Sequence, residues 1–334
     1  MTLEQPVRWG IIGCGNVTEV KSGPALQQAR GSQLVAVMRR DAALAEDYAR
    51  RHGVPKWTSD AGALIADPEV DAIYIATPPD THCAYTLAAA RAGKPVYVEK
   101  PMALNAAQCQ EMIAACQAAD VPLFVAYYRR ALPRFLKARE LVQGGAIGAV
   151  RFVEILLTQP LQRHPPQALP WRLRPEIAGG GLFVDLASHM LDYLDYVLGP
   201  VCRACGLARN QAGAYPAEDI VSAVLEFESG VQASATWCFN SFEAADRMTF
   251  IGSEGKVTLS TFGGEPVLLE TAAGSQAFDL PYPAHIQQPL IQQVVDALLG
   301  QAVSAASASE CASTGESAAR TSWVMDEILR GARR

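Results

Sequence analysis

The sequence predicts an α/β protein with two domains. The first is a Rossmann domain with a doubly wound parallel sheet, and the second is an α+β domain with an open, mainly antiparallel sheet. The chain has 334 residues, which is more than one ordinary core accommodates. Apolar runs alternate with amphipathic stretches at first, and a strand–turn–strand pattern replaces them later. We therefore expect domains over residues 1–126 and 127–334, with the C-terminal helices packing back on the first domain.

The Rossmann domain is predicted from apolar runs that are short enough to be strands buried on both faces. Helix-like stretches separate these runs, which is typical of βαβ units and a parallel sheet. Asp80-Thr81 and Asn105 are N-cap signals, and Gly93 is a helix stop. The predicted strands are Val7–Ile12, Leu34–Met38, Ala72–Ala76, Pro95–Val98 and Leu123–Ala126, and the predicted helices are 17–29, 41–52, 80–92 and 105–118.

The second domain is predicted from short turns that join successive apolar runs. Glu-Ser-Gly and Ser-Glu-Gly turns indicate antiparallel hairpins. The strands expected are Val150–Thr158, 219–227, 231–239, 246–251, 256–261 and 266–271. Helices are expected at 131–143, 182–198, 285–299 and 316–331, with a connecting loop at 302–309.

Composition argues against several classes of function. The net charge of −6 and the lack of a basic run argue against nucleic-acid binding. No stretch of about 20 apolar residues predicts a membrane span, and no signal peptide is evident, so we expect a cytoplasmic protein. Cys202 and Cys205 form a Cys-x-x-Cys pair without companion ligands, which favours two buried or half-buried thiols over a zinc site.

The first functional motif is a glycine turn directly after the first strand. Gly13 allows the tight turn, and Gly15 lets the backbone approach a pyrophosphate at the start of the next helix. Thr18 replaces the third glycine of the usual fingerprint, which predicts a bulkier helix–strand contact. Because the turn opens a βαβ pattern, the sequence predicts dinucleotide binding. The residues expected at the cofactor are Gly13, Cys14, Gly15, Asn16 and Val17.

The end of the second predicted strand decides which dinucleotide is expected. An acidic residue at this point usually contacts the ribose hydroxyls of NAD, but here the strand runs into Arg39-Arg40. Two guanidiniums suit a 2′-phosphate, and one can also stack on the adenine. The alternative is a pair of solvated arginines, with Asp41 turned toward the ribose. We expect NADP, with NAD as the alternative.

Two loops that follow later strands are expected to line the same crevice, because residues past the carboxyl ends of parallel strands face the ligand. In the first loop, His82 is expected to be a wall or capping residue. In the second, Pro101 makes Lys100 extended, so that its ammonium can bind a substrate hydroxyl and stabilise an alkoxide. The alternative is a surface lysine. The residues expected at the cofactor are Thr77, Pro78, Pro79, His82, Glu99 and Lys100.

The third motif is Gly179-Gly180-Gly181, which opens a helix carrying Asp185 and His189. Residues four apart share one helix face. The aspartate can orient the imidazole, and His189 can exchange a proton with a substrate oxygen. The first alternative is that an Asp and a His four residues apart occur here by chance. A metal site is the other alternative, but no third ligand is evident and we expect no metal.

In this order and spacing, the glycine turn, Glu99-Lys100-Pro101 and the Gly-Gly-Gly-x-x-x-Asp-x-x-x-His motif resemble the Gfo/Idh/MocA oxidoreductase family. The resemblance covers essentially the whole chain, including Trp171-Arg172 and Ser313-Thr314-Gly315-Glu316-Ser317. It implies a Rossmann domain and an α/β domain whose open sheet face forms homodimers or homotetramers. It also implies a cis peptide between Lys100 and Pro101.

The resemblance also implies site roles. Lys100 belongs to the proton-handling site, His189 is the general acid/base and Asp185 is its neighbour. Trp171 and Arg172 are similar to a pair that closes over the cofactor in anhydrofructose-reductase-like members. Arg39-Arg40 is similar to the NADP-using branch.

The expected function is therefore hydride transfer between nicotinamide and a secondary alcohol or ketone of a sugar, cyclic polyol or diol. Pocket candidates are Trp171, Arg172, His164 and Tyr128. One alternative is a non-catalytic cofactor-binding sensor, which the intact Lys100, Asp185 and His189 disfavour. The other is a glycoside hydrolase with a tightly held NAD, and Arg39-Arg40 argues against this alternative.

Overall fold

A computed structural model describes residues 2–301 and 311–330 of the chain. The described residues form two compact units. Unit 1 lies within Met1–Ala103, Ala107–Ala131 and Pro283–Ala318, and unit 2 lies within Leu104–Ala106, Leu132–Tyr282 and Ala319–Arg334. The loop predicted at 302–309 and residue 331 of the last predicted helix lie outside the described residues.

Unit 1 is built on a parallel sheet. Its strands are β1 (Val7–Ile12), β2 (Ser32–Met38), β3 (Lys56–Thr58), β4 (Ala72–Ile75), β5 (Val96–Val98) and β6 (Leu123–Val125). They form a six-stranded sheet in the order β3-β2-β1-β4-β5-β6, with every pair parallel. Every residue of β4, β5 and β6 is buried, as expected for strands covered on both faces. The predicted doubly wound Rossmann sheet is confirmed.

Helices of both units connect and cover the strands, and we number them in chain order. They are α1 (Asn16–Val20), α2 (Gly23–Gln28), α3 (Ala42–His52), α4 (Ala61–Ala66), α5 (His82–Arg91), α6 (Ala106–Ala118), α7 (Pro133–Gln143), α8 (Pro175–Ala178), α9 (Ser188–Leu198), α10 (Gln288–Leu298) and α11 (Gly315–Arg330). Of these, α10 belongs to unit 1, and α7, α8 and α9 belong to unit 2.

Two parts of unit 1 differ from the prediction. The single helix predicted at 17–29 is two helices, α1 and α2, because Gly23-Pro24 starts a new helix in which Pro24 lacks a backbone donor. The segment between α3 and β4 contains β3 and α4, which the sequence did not predict. Both elements are short. A capping signal was present for α4, because the Asp60 side chain accepts from the backbone N–H groups of Gly62 and Ala63.

Unit 2 contains the second sheet. Its strands are β7 (Val150–Pro160), β8 (Val201–Arg209), β9 (Ile220–Phe227), β10 (Gln232–Ser241), β11 (Ala245–Gly252), β12 (Gly255–Leu259), β13 (Val267–Thr271) and β14 (Gly274–Phe278). The eight strands lie in the order β14-β13-β12-β11-β7-β10-β9-β8, and all pairs are antiparallel except β7 with β10. The predicted mainly antiparallel sheet is confirmed.

The core of unit 2 lies on one face of this sheet. Side chains alternate along β7, where Val153, Ile155 and Leu157 are buried and Phe152 is exposed. On the buried face, the Trp237 ring of β10 contacts Phe183 edge-on, with the ring centroids 5.1 Å apart. The opposite face of the sheet is therefore left partly apolar and accessible.

The cysteine prediction needs a correction. Cys202 and Cys205 carry free thiols, as expected, but both are exposed rather than buried or half-buried. They lie on β8, the edge strand of the sheet, and the register shifts between Val201 and Arg203. This irregularity, together with the accessible sheet face, leaves both thiols in solvent.

No helix within residues 2–301 and 311–330 is long and apolar enough to cross a membrane. Within those same ranges, no group of three or more His, Cys, Asp or Glu side chains is placed to hold a metal ion.

Candidate active site

The glycine turn after β1 has the geometry that a closely approaching ligand requires. Gly13 has a φ of +92°, and a Cβ there would lie 2.7 Å from Thr77 Cγ2. Only a glycine fits this position. At Gly15 a Cβ would meet only the Gly13 carbonyl oxygen, at 3.8 Å. The backbone of Gly15 therefore borders open space, which fits a pyrophosphate at this turn.

Thr18 is accommodated without a clash. Its side chain is fully buried, and its hydroxyl donates to the Gly15 carbonyl at 2.8 Å. Its own carbonyl accepts from the Tyr48 hydroxyl at 2.9 Å. A Cβ at Gly23 would meet both the Thr18 carbonyl and the Tyr48 hydroxyl. The close contact between chain segments therefore requires a glycine at position 23 rather than at position 18. The sequence analysis did not predict this, although Gly23-Pro24 marks a helix start.

The residues that follow β2 differ in their contacts. Arg39 is half-buried, and its Nη1 donates to the Cys14 carbonyl at 3.4 Å, which places the guanidinium beside the glycine turn. Arg40 is exposed. The Asp41 carboxylate accepts from the Leu44 N–H at 3.2 Å and so caps α3. Burial raises the pKa of the Cys14 thiol to about 11, so this side chain stays neutral.

His82 connects the two loops that follow β4 and β5. Its ring is fully buried, with Nδ1 3.0 Å from the Pro101 carbonyl and Nε2 2.8 Å from the Thr77 carbonyl. Burial lowers the pKa of this imidazole. These contacts join the two loops, and the wall or capping role stays a prediction.

The loop after β4 departs from the predicted N-cap. The Thr81 hydroxyl donates within the loop, with Thr77 Oγ1 at 2.7 Å and the Pro78 carbonyl at 3.0 Å. Thr81 takes the N-cap position of α5 without a side-chain cap bond, and Asp80 lies in a short 3₁₀ turn, Pro79–Thr81. The hydroxyl therefore shapes the loop rather than capping the helix.

The Glu99-Lys100-Pro101 segment leaves the end of β5 with a cis Lys100–Pro101 peptide, as the resemblance implies. Lys100 is half-buried, and its backbone N–H donates to Glu99 Oε2 at 3.2 Å. The Glu99 carboxylate is buried, and its Oε1 accepts from the Tyr74 hydroxyl at 2.7 Å. Burial, and then the Glu99 charge, raises the pKa of Tyr74 well above its ordinary value, so the phenol remains a donor.

The third motif is not the regular helix that the sequence predicts over 182–198. Asp185 lies in a π-helical turn, Phe183–Ala187, and α9 begins at Ser188. The three glycines before it are closely packed: Gly179 has a φ of +82°, and a Cβ at Gly180 would lie 2.5 Å from Val184 Cγ2. Single π turns of this kind occur frequently at functional sites.

Three predicted site residues of unit 2 meet at this turn. Arg172 Nε lies 3.2 Å from the Asp185 carboxylate, and the Arg172 guanidinium lies over the Trp171 ring, 4.3 Å from its centroid. The Asp185 side chain is only 13% exposed, so its charge is largely removed from water. Trp171 and Arg172 share a short 3₁₀ turn, Trp171–Leu173. The structure therefore brings Trp171, Arg172 and Asp185 together.

His189 contacts an aromatic ring that the sequence reasoning missed. The imidazole is buried, and its centroid lies 6.0 Å from that of Phe262, edge to face. The Asp246 carboxylate fixes the loop that carries Phe262, because it accepts from the backbone N–H groups of Thr261, Phe262 and Gly263 at 3.0, 2.6 and 3.1 Å. Gly263-Gly264 after an aromatic residue was the only sequence signal for this loop.

The predicted site residues divide between the two units. The glycine turn, Arg39, Arg40, the loop from Thr77 to His82, Glu99 and Lys100 belong to unit 1, whereas Trp171, Arg172, Asp185 and His189 belong to unit 2. Of the other pocket candidates, Tyr128 is buried in unit 1 and His164 is half-buried in unit 2.

Two family models match the chain. A model described as an oxidoreductase family with an NAD-binding Rossmann fold matches residues 7–127. A second, described as a GFO/IDH/MocA C-terminal domain, matches residues 135–258. Together they cover most of the chain, and the second match begins within α7.

Named relatives extend this similarity. An oxidoreductase of Formosa agariphila, P35, is 40% identical over 314 residues, which cover 93% of this chain and 96% of the relative. The 1,5-anhydro-D-fructose reductase of Ensifer adhaerens is 31% identical over 252 residues, covering 75% and 74% of the two chains. The crystal structure of an aldose–aldose oxidoreductase from Caulobacter crescentus, complexed with glycerol, matches with a TM-score of 0.85 at 26% identity and covers 98% of each chain.

Proposed function

The chain belongs to the Gfo/Idh/MocA family of oxidoreductases, and from that premise we propose that it uses NADP to oxidise a secondary alcohol or reduce the corresponding ketone. The substrate class we propose is a sugar, cyclic polyol or diol. The anhydrofructose reductase and the glycerol-bound aldose–aldose oxidoreductase among the similar proteins support this class.

One relationship within unit 1 carries the proposal. In the sheet, β4 lies between β1 and β5, so the glycine turn and Lys100 leave neighbouring parts of the same carboxyl edge. Ligands of doubly wound sheets bind at this edge. A dinucleotide held at Gly13 to Val17 would therefore have the Lys100 ammonium close to its reactive end.

NADP is favoured over NAD by the contacts after β2. Arg39 lies at the glycine turn, and Arg40 is exposed next to it, so both guanidiniums are available to a 2′-phosphate. Asp41, the residue that could otherwise take the ribose hydroxyls of NAD, already caps α3. Because the Asp41 carboxylate is already bonded to the start of α3, these contacts favour NADP over NAD.

The proposed chemistry assigns one task to each side chain. The nicotinamide, when bound, supplies or accepts the hydride. Lys100 donates a hydrogen bond to the substrate oxygen and stabilises the alkoxide that develops there. His189 takes the hydroxyl proton during oxidation and returns it during reduction, and Asp185 stabilises the imidazolium. Trp171 and Arg172 contact the cofactor, and His82 braces the loops around it.

The test is a substrate panel followed through the near-ultraviolet absorbance of the reduced nicotinamide. The panel contains 1,5-anhydro-D-fructose with NADPH or NADH, and myo-inositol, glucose and a cyclic diol with NADP or NAD. We expect turnover of at least one compound, with kcat/KM for the NADP(H) pair about tenfold or more above that for NAD(H). Preference for NAD(H) would refute the cofactor assignment. Tight cofactor binding without any turnover would favour the sensor.

We also propose that the accessible face of the second sheet forms a homodimer or homotetramer. Leu207 and Val224 are 70% and 55% exposed there, and Phe152 is 41% exposed on the same face. Leu207 and Val224 are diagonal neighbours on β8 and β9, and exposed apolar groups grouped in this way are typical of interaction sites. Light scattering after size-exclusion chromatography tests this, and Leu207→Lys with Val224→Lys should yield monomers if the face is the interface.

A further inference from the structure

A chain of buried hydrogen bonds runs through unit 1 and ends at Lys100. It begins at Gln287, the fully buried N-cap residue of α10. The Tyr97 hydroxyl donates to Gln287 Oε1 at 3.0 Å, and Gln287 Nε2 donates to Glu99 Oε1 at 2.6 Å. The amide of Gln287 is thus oriented by β5 and bonded to the residue before Lys100.

The Glu99 carboxylate needs these donors. It is only 7% exposed, and burying an ionised carboxylate is costly unless hydrogen bonds replace the water that it loses. Gln287 Nε2 and the Tyr74 hydroxyl both donate to Oε1, and the Lys100 backbone N–H donates to Oε2. The two oxygens therefore link a helix, a neighbouring strand and the Lys100 peptide.

The segment that contains Gln287 also holds the end of α1. The Gln287 backbone N–H donates to the Lys21 carbonyl at 3.3 Å, and His285 Nδ1 lies 2.6 Å from the Val20 carbonyl. One short segment, 285–287, thus contacts both the helix that follows the glycine turn and the residue that precedes Lys100. Its side chains are suited to fix these two parts of the carboxyl edge of the sheet.

We infer that Gln287 is a positioning residue for the reaction: by orienting the Glu99 carboxylate, it holds the Lys100 peptide in the conformation that presents the ammonium to the substrate. This inference rests on the proposed role of Lys100. Gln287 itself touches neither substrate nor cofactor in this scheme. Its loss should therefore act on the reaction through Lys100.

Gln292 provides a matched control on the same helix. It accepts from the Arg30 N–H at 2.8 Å and donates to the Arg30 carbonyl at 3.2 Å, so it also attaches α10 to unit 1 through its amide. Its contacts are with the Arg30 backbone and Asp296 rather than Glu99. Gln292→Met should therefore weaken the contact of α10 with the Arg30 backbone and leave Lys100 unaffected.

The first test needs no substrate. Reductive methylation with formaldehyde and cyanoborohydride is followed by peptide mass spectrometry, and the rate at Lys100 is divided by the rates at Lys56 and Lys137. In Gln287→Met we expect this ratio to rise about fivefold, the factor that one lost hydrogen bond is worth. It should stay unchanged in Gln292→Met. An unchanged ratio in Gln287→Met, or an equal rise in both variants, would overturn the inference.

Circular dichroism checks that the variants are folded. If Gln287→Met does not fold, Tyr97→Phe replaces it, because it removes only the hydroxyl that orients the Gln287 amide. A smaller rise at Lys100 is then expected, and no rise overturns the inference.

The second test separates this inference from the proposed function. With the best substrate of the panel, Gln287→Met should lower kcat about fivefold or more while KM for the cofactor changes little. In a Lys100→Met background the same substitution should have no further effect on kcat. If Lys100→Met retains full activity, the role of Lys100 is wrong. If Lys100→Met is impaired but the effects multiply, Gln287 does not act through Lys100.

Discussion

Arg172 and Asp185 form an ion pair, with Nε 3.2 Å from the carboxylate, between a short 3₁₀ turn and a π-helical turn. The same guanidinium lies over the Trp171 ring. Arg172 is 47% exposed, so the pair contributes little to stability. Its consequence is geometric, because it fixes the orientation of a carboxylate that we assign to the proton-handling site.

Arg172→Gln should therefore reduce catalysis more than stability. We expect kcat to fall by about tenfold to hundredfold, since a catalytic group that is slightly misplaced costs this much. The apparent Tm should stay close to that of the wild type. Lys256→Gln breaks an ion pair of similar exposure, to Glu270, and is the control that should leave kcat unchanged. Equal kcat values for the two variants would contradict the role of Arg172.

Cofactor choice is predicted to depend on the pair after β2. Replacing Arg39 and Arg40 together by alanine should lower the NADPH-to-NADH ratio of kcat/KM by about tenfold to hundredfold, because charge-assisted bonds to the 2′-phosphate are lost. Steady-state kinetics with both cofactors measures the ratio. Arg50→Ala, which removes an exposed arginine paired with Asp47 on α3, is the matched control. An equal fall of the NADPH-to-NADH ratio in the Arg39/Arg40 variant and in Arg50→Ala would show only a general effect of charge.

Elements with strong local signals were predictable. The apolar run Val7–Ile12 coincides with β1, and the position of Lys100 at a strand end followed from Val96–Val98 and the proline. The break between α1 and α2 was not predicted, although Gly23-Pro24 marks a helix start, and the close approach of Gly23 to Thr18 and Tyr48 is visible only in the fold. Similarly, β3 is Lys56-Trp57-Thr58, which is not an apolar run and has no buried residue, so the pattern that predicts the other strands is missing there.

The contacts of the site were less predictable than its motifs. Gln287 lies 188 residues from Glu99 along the chain, and a glutamine at a helix start carries no sequence signal. The π turn at Phe183–Ala187 depends on tertiary packing of the preceding glycines, which helical periodicity does not report. The motifs thus predict which residues carry the chemistry, whereas the residues that orient them require the fold.

His189 is predicted to matter for chemistry rather than for cofactor binding. His189→Asn should lower kcat by about 10²–10⁴-fold, the contribution of a positioned general acid or base. The Kd for NADPH, measured by fluorescence titration, should change little. His52→Asn removes a histidine paired with Glu19 and should keep kcat. Unchanged turnover of His189→Asn with the true substrate would contradict the proton-handling role.

Glu19 should make the stability of unit 1 depend on pH. Hydrogen bonds from Arg51, and secondarily from His52, lower the pKa of its carboxyl from 4.5 to about 2. Because the pKa of Glu19 is lower in the folded state, its bonds to Arg51 and His52 stabilise the protein fully above pH 4.5. This contribution is lost as the pH falls toward 2. Glu19→Gln should therefore lower stability at pH 7 by about 1 kcal/mol, a figure reduced for solvent screening because the side chain is 30% exposed.

In thermal unfolding this corresponds to an apparent Tm about 2–4 °C below the wild type at neutral pH. The difference between the two proteins should narrow as the pH is lowered through the interval between the two pKa values, because the wild-type carboxyl then becomes protonated and loses its ion pairs. Glu270→Gln, which removes the ion pair with Lys256, is the control and should show a smaller loss at pH 7. A Tm difference for Glu19→Gln that stays constant from pH 7 to the acid limit would show that the cluster acts through packing and not through charge.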